Sequence, residues 1–233
     1  AIVAAKPKRA RGGDIARIRI EGVIEPKTTL WSLLFGGAGL DMIAAEFDEA
    51  LKDPDIKGIL LDIDSPGGVV SGVPEMAKTI RAARGQKPIL AVANSMAASA
   101  AYYLAAQADS ISVTPSGDVG SIGVVYMHTD ARGFAEQMGV SHRIFRSQER
   151  KADVNPWEEL SEAAAADIQS KVDAYDAMFV ADVAKGRGVS RETVRKNYGA
   201  GRMFLAKDAL AAGLVDQVET VEEAAARLSR GAV

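Results

Sequence analysis

The sequence predicts an α/β protein on a mainly parallel sheet, and three features carry that prediction. Short apolar runs of strand character alternate along the chain with stretches of helical period. Two consecutive strand–turn–helix units occupy residues 57–83 and 88–108. The chain is also long enough, at 233 residues with 48% hydrophobic, to bury a sizeable core without covalent staples. Cysteine is absent, which excludes disulfides, thiolate metal sites and a cysteine nucleophile and fits a reducing compartment.

Lys6, Lys8, Arg9 and Arg11 make a basic arm ending at Gly12-Gly13, and residues 1–14 read as a flexible terminus. Residues 15–20 alternate apolar and basic, the pattern of a half-buried strand near an edge. Trp31, Leu33, Leu34 and Phe35 precede a glycine-rich joint at 36–39. Core packing is their expected role, with an apolar groove or a second subunit as other uses. Residues 40–52 carry a helical apolar period. Residues 57–63 form a buried strand, Asp64-Ser65-Pro66-Gly67-Gly68 a turn, and residues 71–83 a helix. A strand over 88–93 leads into a helix over 97–108, and strands follow at 110–113 and 121–126. A helix near 130–138 precedes a strand near 142–146, and the polar stretch 147–157 has no clear period. A long helix spans 160–185 with Gly186 and Gly188 as stop signals, and the remainder reads as short helices around a strand at 214–218. Without an internal repeat or a linker, residues 15–233 read as one domain.

The 28 Lys+Arg against 31 Asp+Glu leave a net charge of −3, so the chain lacks the electrostatic footprint of a nucleic-acid binder. No stretch reaches the roughly 18 uninterrupted apolar residues of a membrane helix. The nearest, residues 91–108, is broken by Asn94, Ser95, Ser99 and Gln107. The chain begins with Ala rather than Met and lacks the charged, apolar and small-residue order of a signal peptide, so a soluble protein without an anchor is expected. Metal-ligand spacing is missing, and Gly67-Gly68 lacks the Lys-Ser/Thr of a phosphate loop, so neither metal nor cofactor is expected.

Ligands of open α/β sheets bind where strands lead into helices. Two such loops follow one another here. Gly67-Gly68 offers main-chain N–H groups unobstructed by side chains, suited to an oxyanion. Ser99 falls in the first turn of an Ala-rich helix, where developing negative charge is favoured. A base is then required. His128 follows a predicted strand and His142 opens one, so a Ser-His-Asp triad stays open. Lys151 is the other candidate, ahead of Asp153, Asn155, Pro156 and Trp157. A lysine base must be neutral, which burial against Trp157 and the Ala-rich helix would favour. Asp62 and Asp64 share one face near the turn and read as a structural cap on it rather than as an acid/base pair.

Four segments, ILLDIDSPGG (59–68), ANSMAASAAY (93–102), GSIGV (120–124) and KADVNPW (151–157), resemble a family in their order and spacing. It is the family of serine peptidases that includes bacterial signal peptide peptidase A and the capsid-assembly (protease C type) proteases of tailed phages. The likeness spans roughly residues 15–220. It implies a Clp/crotonase-like superhelix of strand–strand–helix units, assembled into homo-oligomers, and a Ser-Lys dyad. On this resemblance Ser99 is the nucleophile and Lys151 the general base. Gly68 and Ala100 give the oxyanion-hole N–H groups and Ser121 orients the lysine amine, with Gly67 and Asp64 supporting the turn. The family often has Gly after the nucleophile and three residues before the lysine, where this chain has Ala100 and Gln148. The Lys151–Trp157 segment, the long helix with Met178-Phe179 and the segment 204–213 are more similar to the phage proteases.

The expected activity is endopeptidase cleavage of extended polypeptide, capsid scaffold or portal-associated protein during head maturation, in the host cytoplasm or procapsid. The alternatives are a soluble bacterial signal-peptide or quality-control peptidase and a catalytically silent scaffold-binding module of the same fold. An acyl-CoA enzyme of the crotonase type shares the oxyanion geometry but has no use for a Ser-Lys pair.

Overall fold

In the computed structural model the described residues are 8, 9 and 13–231. Most of the expected basic arm lies outside them. Within it, β1 (Lys8–Arg9) pairs antiparallel with β2 (Ile15–Glu21). After a bend at Gly22 the chain forms β3 (Val23–Glu25), then α1 (Leu30–Phe35), β4 (Gly37–Gly39) parallel to β3, and α2 (Leu40–Lys52). The two strand–turn–helix units are β5 (Gly58–Ser65) with α3 (Val73–Ala82) and β6 (Ile89–Ala98) with α4 (Ala100–Ala105). Strands β7 (Ser110–Val113) and β8 (Asp118–Gly120) follow. Next come α5 (Arg132–Gln137), a 3-10 turn at Glu149–Ala152, and α6 (Glu162–Arg187). The chain ends through α7 (Arg191–Asn197), β9 (Met203–Leu205), α8 (Ala206–Ala212), β10 (Gln217–Val218) and α9 (Val221–Ser229).

The chain divides into two compact units, one made by residues up to Gly123 and from Met178 onward, the other by Val124–Ala177. The larger unit holds an eight-stranded sheet in the order β1-β2-β5-β6-β7-β10, with β8 continuing against the far end of β6 and β9 against β8. All its pairings are parallel except those of β1 and β9. Residues 58–63 of β5 are all buried, as a central parallel strand requires when helices cover both of its faces. Val221, Ala224 and Leu228 of α9 close one face over Ile15, Leu60, Leu90 and Val92. Helix α2 buries Leu40, Ile43, Phe47 and Ala50. Every residue of α4 is buried, where it packs on β5, β6 and α3; its alanines allow that close approach.

Several expectations are corrected by partners that the local pattern does not name. Ala97 and Ala98, expected to open a helix, complete β6 by pairing with Val119 and Gly120, so α4 starts at Ala100. The strand expected over 121–126 is instead β8, which ends at Gly120. The one expected near 142–146 does not form: those residues are largely exposed, and the smaller unit has no strand among its described residues to pair with them. Gly186 does not stop α6 but lies within it, and a Cβ there would run into the Ala106 carbonyl. The stop is Gly188, at φ +66°. Trp31 and Leu34 are not core residues, being 71% and 67% exposed. The short α1 turns Ser32 inward instead, where it shares a capping box with Thr29. The side chains of Leu33 and Phe35 lie outside the described residues.

Candidate active site

Ser99 occupies the single residue between β6 and α4, at φ +52° and ψ −122°. An L-residue rarely adopts such a conformation, and it persists only where the surroundings over-determine it. Here they do. The Ser99 N–H donates to the Gly120 carbonyl at 2.9 Å, the Ser99 carbonyl accepts from the Tyr103 N–H at 2.9 Å, and the helix that follows is buried throughout. The result is a sharp strand-to-helix turn at the carboxyl end of a parallel strand, with a half-buried hydroxyl at its tip.

The Pro66-Gly67-Gly68 turn packs directly on it. Gly67 sits at φ +95°, and a Cβ there would stand 2.8 Å from Ser99 Cβ, 2.8 Å from the Ala98 carbonyl and 2.9 Å from the Ala100 nitrogen. Gly68 bridges to Ile24 of β3, and a Cβ there would strike the Ile24 carbonyl. The Ile24 N–H donates to the Gly67 carbonyl at 2.8 Å, and the Val69 N–H donates to the Ile24 carbonyl at 3.1 Å. Among the described residues neither the Gly68 N–H nor the Ala100 N–H has a hydrogen-bond partner. Both N–H groups belong to the two turns that meet at Gly67 and Ser99.

Ser121 follows Gly120, whose register opposite Ala98 sets it beside the Ser99 turn. It too has a positive φ, +53°, and its N–H donates to the Arg202 carbonyl at 2.9 Å. The carboxylates take other roles than a cap on the turn. Asp62 is buried and paired with Arg17 of the neighbouring strand, Nη2 to Oδ2 at 2.6 Å. Asp64 supports the turn's approach through its main chain, its carbonyl accepting from the Gly22 N–H at 2.9 Å while its side chain is exposed. The side chain that does hold the turn is Ser65, whose Oγ accepts from the Gly67 N–H at 3.1 Å. A signal for it was present, since a serine two residues before a turn N–H commonly bonds to it.

Lys151 belongs to the smaller unit, in the 3-10 turn, with its side chain exposed. Its neighbours in the segment have structural employment. Arg150 pairs with Asp153 and Asp167. Asn155 donates to the Ala152 carbonyl at 2.7 Å and accepts from the Trp157 N–H at 2.8 Å. Trp157 does not supply Lys151 with a dry wall: its ring stacks on His142 at 3.9 Å between centroids. Both histidines also lie in the smaller unit, His142 under that stack and His128 with its Nε2 buried and without a hydrogen-bond partner. Ser99, Gly67, Gly68, Ala100 and Ser121 come together in the larger unit. Among the described residues no cluster of His, Asp or Glu has the geometry to hold a metal ion.

Comparison with known proteins gives matches in families, sequences and folds. The profile of Peptidase family S49 matches residues 81–233. Capsid assembly protease C of Escherichia phage lambda is 33% identical over 91% of this chain and 49% of its own length. A protein of Enterococcus faecium described as a signal peptide peptidase, SppA, is 35% identical over 74% of this chain and 50% of its own. The chain thus spans about half the length of these relatives. Among solved structures, a serine-to-alanine mutant of a membrane-bound stomatin-specific protease superposes with a TM-score of 0.57 and 16% identity, covering 93% of this chain and 84% of that one. The expected α/β fold with a mainly parallel sheet is therefore shared with a protease.

Proposed function

The chain belongs to peptidase family S49, and on that premise we propose that it is a serine endopeptidase with Ser99 as nucleophile and Lys151 as general base. What supports the reading is the packing of Gly67 on the Ser99 turn, which sets the Pro66-Gly67-Gly68 turn against a half-buried serine, and the Gly68 and Ala100 N–H groups are assigned as the oxyanion donors. Neutral Lys151 takes the Ser99 proton as Oγ attacks the scissile carbonyl, and the two N–H groups receive the oxyanion. The lysinium protonates the leaving amine as the C–N bond breaks. Water, deprotonated by the same lysine, then releases the acyl group and restores the serine. Ser121 orients the lysine amine. These steps need no cofactor. The substrate lies as an added strand beside Ser99, held by main-chain hydrogen bonds.

The substrate class favoured is the polypeptide of a phage head under assembly, because the lambda relative is a capsid assembly protease alike over 91% of this chain. Host cytoplasm or procapsid is the corresponding location and a homo-oligomer the corresponding state, with residues 1–14 an arm on a peptidase domain of 15–233. The second reading, a signal-peptide or quality-control peptidase, is favoured by the Enterococcus relative. Among the described residues no helix is long and apolar enough to cross a membrane.

The test is a mass-spectrometric time course on unfolded casein with the native chain, Ser99→Ala and Lys151→Ala. Cleavage by the native chain alone supports the dyad. Equal cleavage by Ser99→Ala removes the site assignment, and equal cleavage by Lys151→Ala removes the base. Cleavage by none leaves two readings, an enzyme that acts only in its oligomer or on its own substrate and the silent assembly module.

A further inference from the structure

We propose that Ser65 is a positioning residue for the oxyanion hole: its hydroxyl holds the Gly67–Gly68 turn in the plane that aims the Gly68 N–H. The inference rests on the peptidase reading and adds a residue which that reading does not use.

Ser65 ends β5 and is fully buried. Its Oγ donates to the Gly22 carbonyl at 2.6 Å and accepts from the Gly67 N–H at 3.1 Å. One hydroxyl therefore ties the turn to the bend between β2 and β3. On the other side of Gly67 the carbonyl accepts from the Ile24 N–H. That carbonyl shares a peptide unit with the Gly68 N–H, and a trans peptide directs the two groups oppositely, so the Gly68 N–H faces away from β3. What remains free is rotation about Gly67 itself, which has no side chain to resist it. Ser65 fixes the N–H end of that residue as Ile24 fixes the carbonyl end. Without the hydroxyl, the buried Gly67 N–H loses its acceptor, and rotating the turn to find another swings the Gly68 donor off the oxyanion position.

Ser65 touches no reacting atom, so its removal must show in the rate of the chemical step and not in affinity. The experiment is phosphonylation by a small alkyl fluorophosphonate, read by intact mass, on the native chain, Ser65→Ala, Ser65→Cys, Ser65→Thr and Ser99→Ala. Ser99 Oγ bonds to phosphorus as its proton passes to Lys151, the P–F bond breaks and fluoride leaves to water, and the phosphoryl oxygen occupies the oxyanion position. Ser65→Ala is expected to lower the maximal labelling rate about tenfold or more with its half-saturating concentration within about twofold, and Ser65→Thr, which keeps the hydroxyl, to recover most of the rate. Native-rate labelling of Ser65→Ala, a loss confined to probe affinity, or a threonine variant no faster than alanine overturns the proposal. If Ser65→Ala does not fold, Ser65→Cys, similar in shape and weak in hydrogen bonding, takes its place in the same comparison. A native chain unlabelled at Ser99 overturns the peptidase reading and this inference together. A labelled native chain with Ser65→Ala unaffected overturns this inference alone.

Discussion

Gly67 and Ser99 stand so close that a Cβ on the glycine would lie 2.8 Å from that of the serine. Neither residue has the backbone of an ordinary L-amino acid, with φ at +95° and +52°. Two strained turns from separate strand–helix units are thus braced against each other. The glycine is required by contact as well as by its φ.

Gly67→Ala is therefore expected to be more damaging than a surface substitution. The left-handed backbone costs an L-residue about 1–2 kcal/mol, and forcing a methyl into packed backbone about 1–3 kcal/mol more. Thermal unfolding should show a drop of several degrees, with loss of reaction at Ser99 even at temperatures where the variant stays folded. A variant with native melting and native labelling would contradict the packing described.

Ser99→Gly and Ser99→Ala should part company in stability while agreeing in activity. Both remove the hydroxyl, but only glycine adopts φ +52° without strain. Ser99→Gly is expected to be about 1 kcal/mol more stable than Ser99→Ala, the strain of one L-residue in the left-handed region. Parallel denaturant titrations decide this, and equal midpoints would mean that the turn is not strained.

If Lys151 is the base, only its neutral form takes the serine proton. Hydrolysis of a fixed peptide should then rise with pH, about tenfold per unit where the ammonium dominates. A flat profile between about pH 6 and 9 would count against the lysine.

Acid stability should report Asp216. Burial pulls its carboxyl upward, but hydrogen bonds from Arg187 and the Ile111 N–H, with the guanidinium charge, outweigh burial and hold its pKa below the ordinary carboxylate value. A carboxyl depressed in the folded state stabilises it above the unfolded pKa of about 3.9, and that contribution disappears as pH falls through the folded value. Asp216→Asn should lower stability at neutral pH by about 1 kcal/mol, as for a partly exposed pair. It should also flatten the acid limb of the stability curve below about pH 4. A variant as acid-sensitive as the native chain would exclude this pair from the acid response.

Much of this was legible along the chain. Residues 40–52 form the helix their period predicts, because it buries the face that Leu40, Ile43, Phe47 and Ala50 define, and residues 110–113 form the expected strand, buried on both faces. The turn glycines and Ser99 were legible too, as residue types that the chemistry of a strand–helix turn demands. Gly186 was misread. A glycine near a helix end looks like a stop, and only the Ala106 carbonyl, just past the end of α4, makes it a contact residue. The burial expected for Lys151 is likewise absent: the lysine is exposed, and the Trp157 ring stacks on His142.

The alternation of strands and helices and the parallel sheet are written in the sequence, because they follow from periodicity within single segments. Only the tertiary structure decided where β6 ends, why Gly67 can have no side chain and that Ser65, not Asp64, holds the turn with its side chain. In each case the deciding atom comes from another part of the chain: Gly120 for the end of β6, Ser99 for Gly67, and Gly22 for Ser65. A hydrogen bond or a steric contact is satisfied by whatever folding brings near, and local pattern has no access to that.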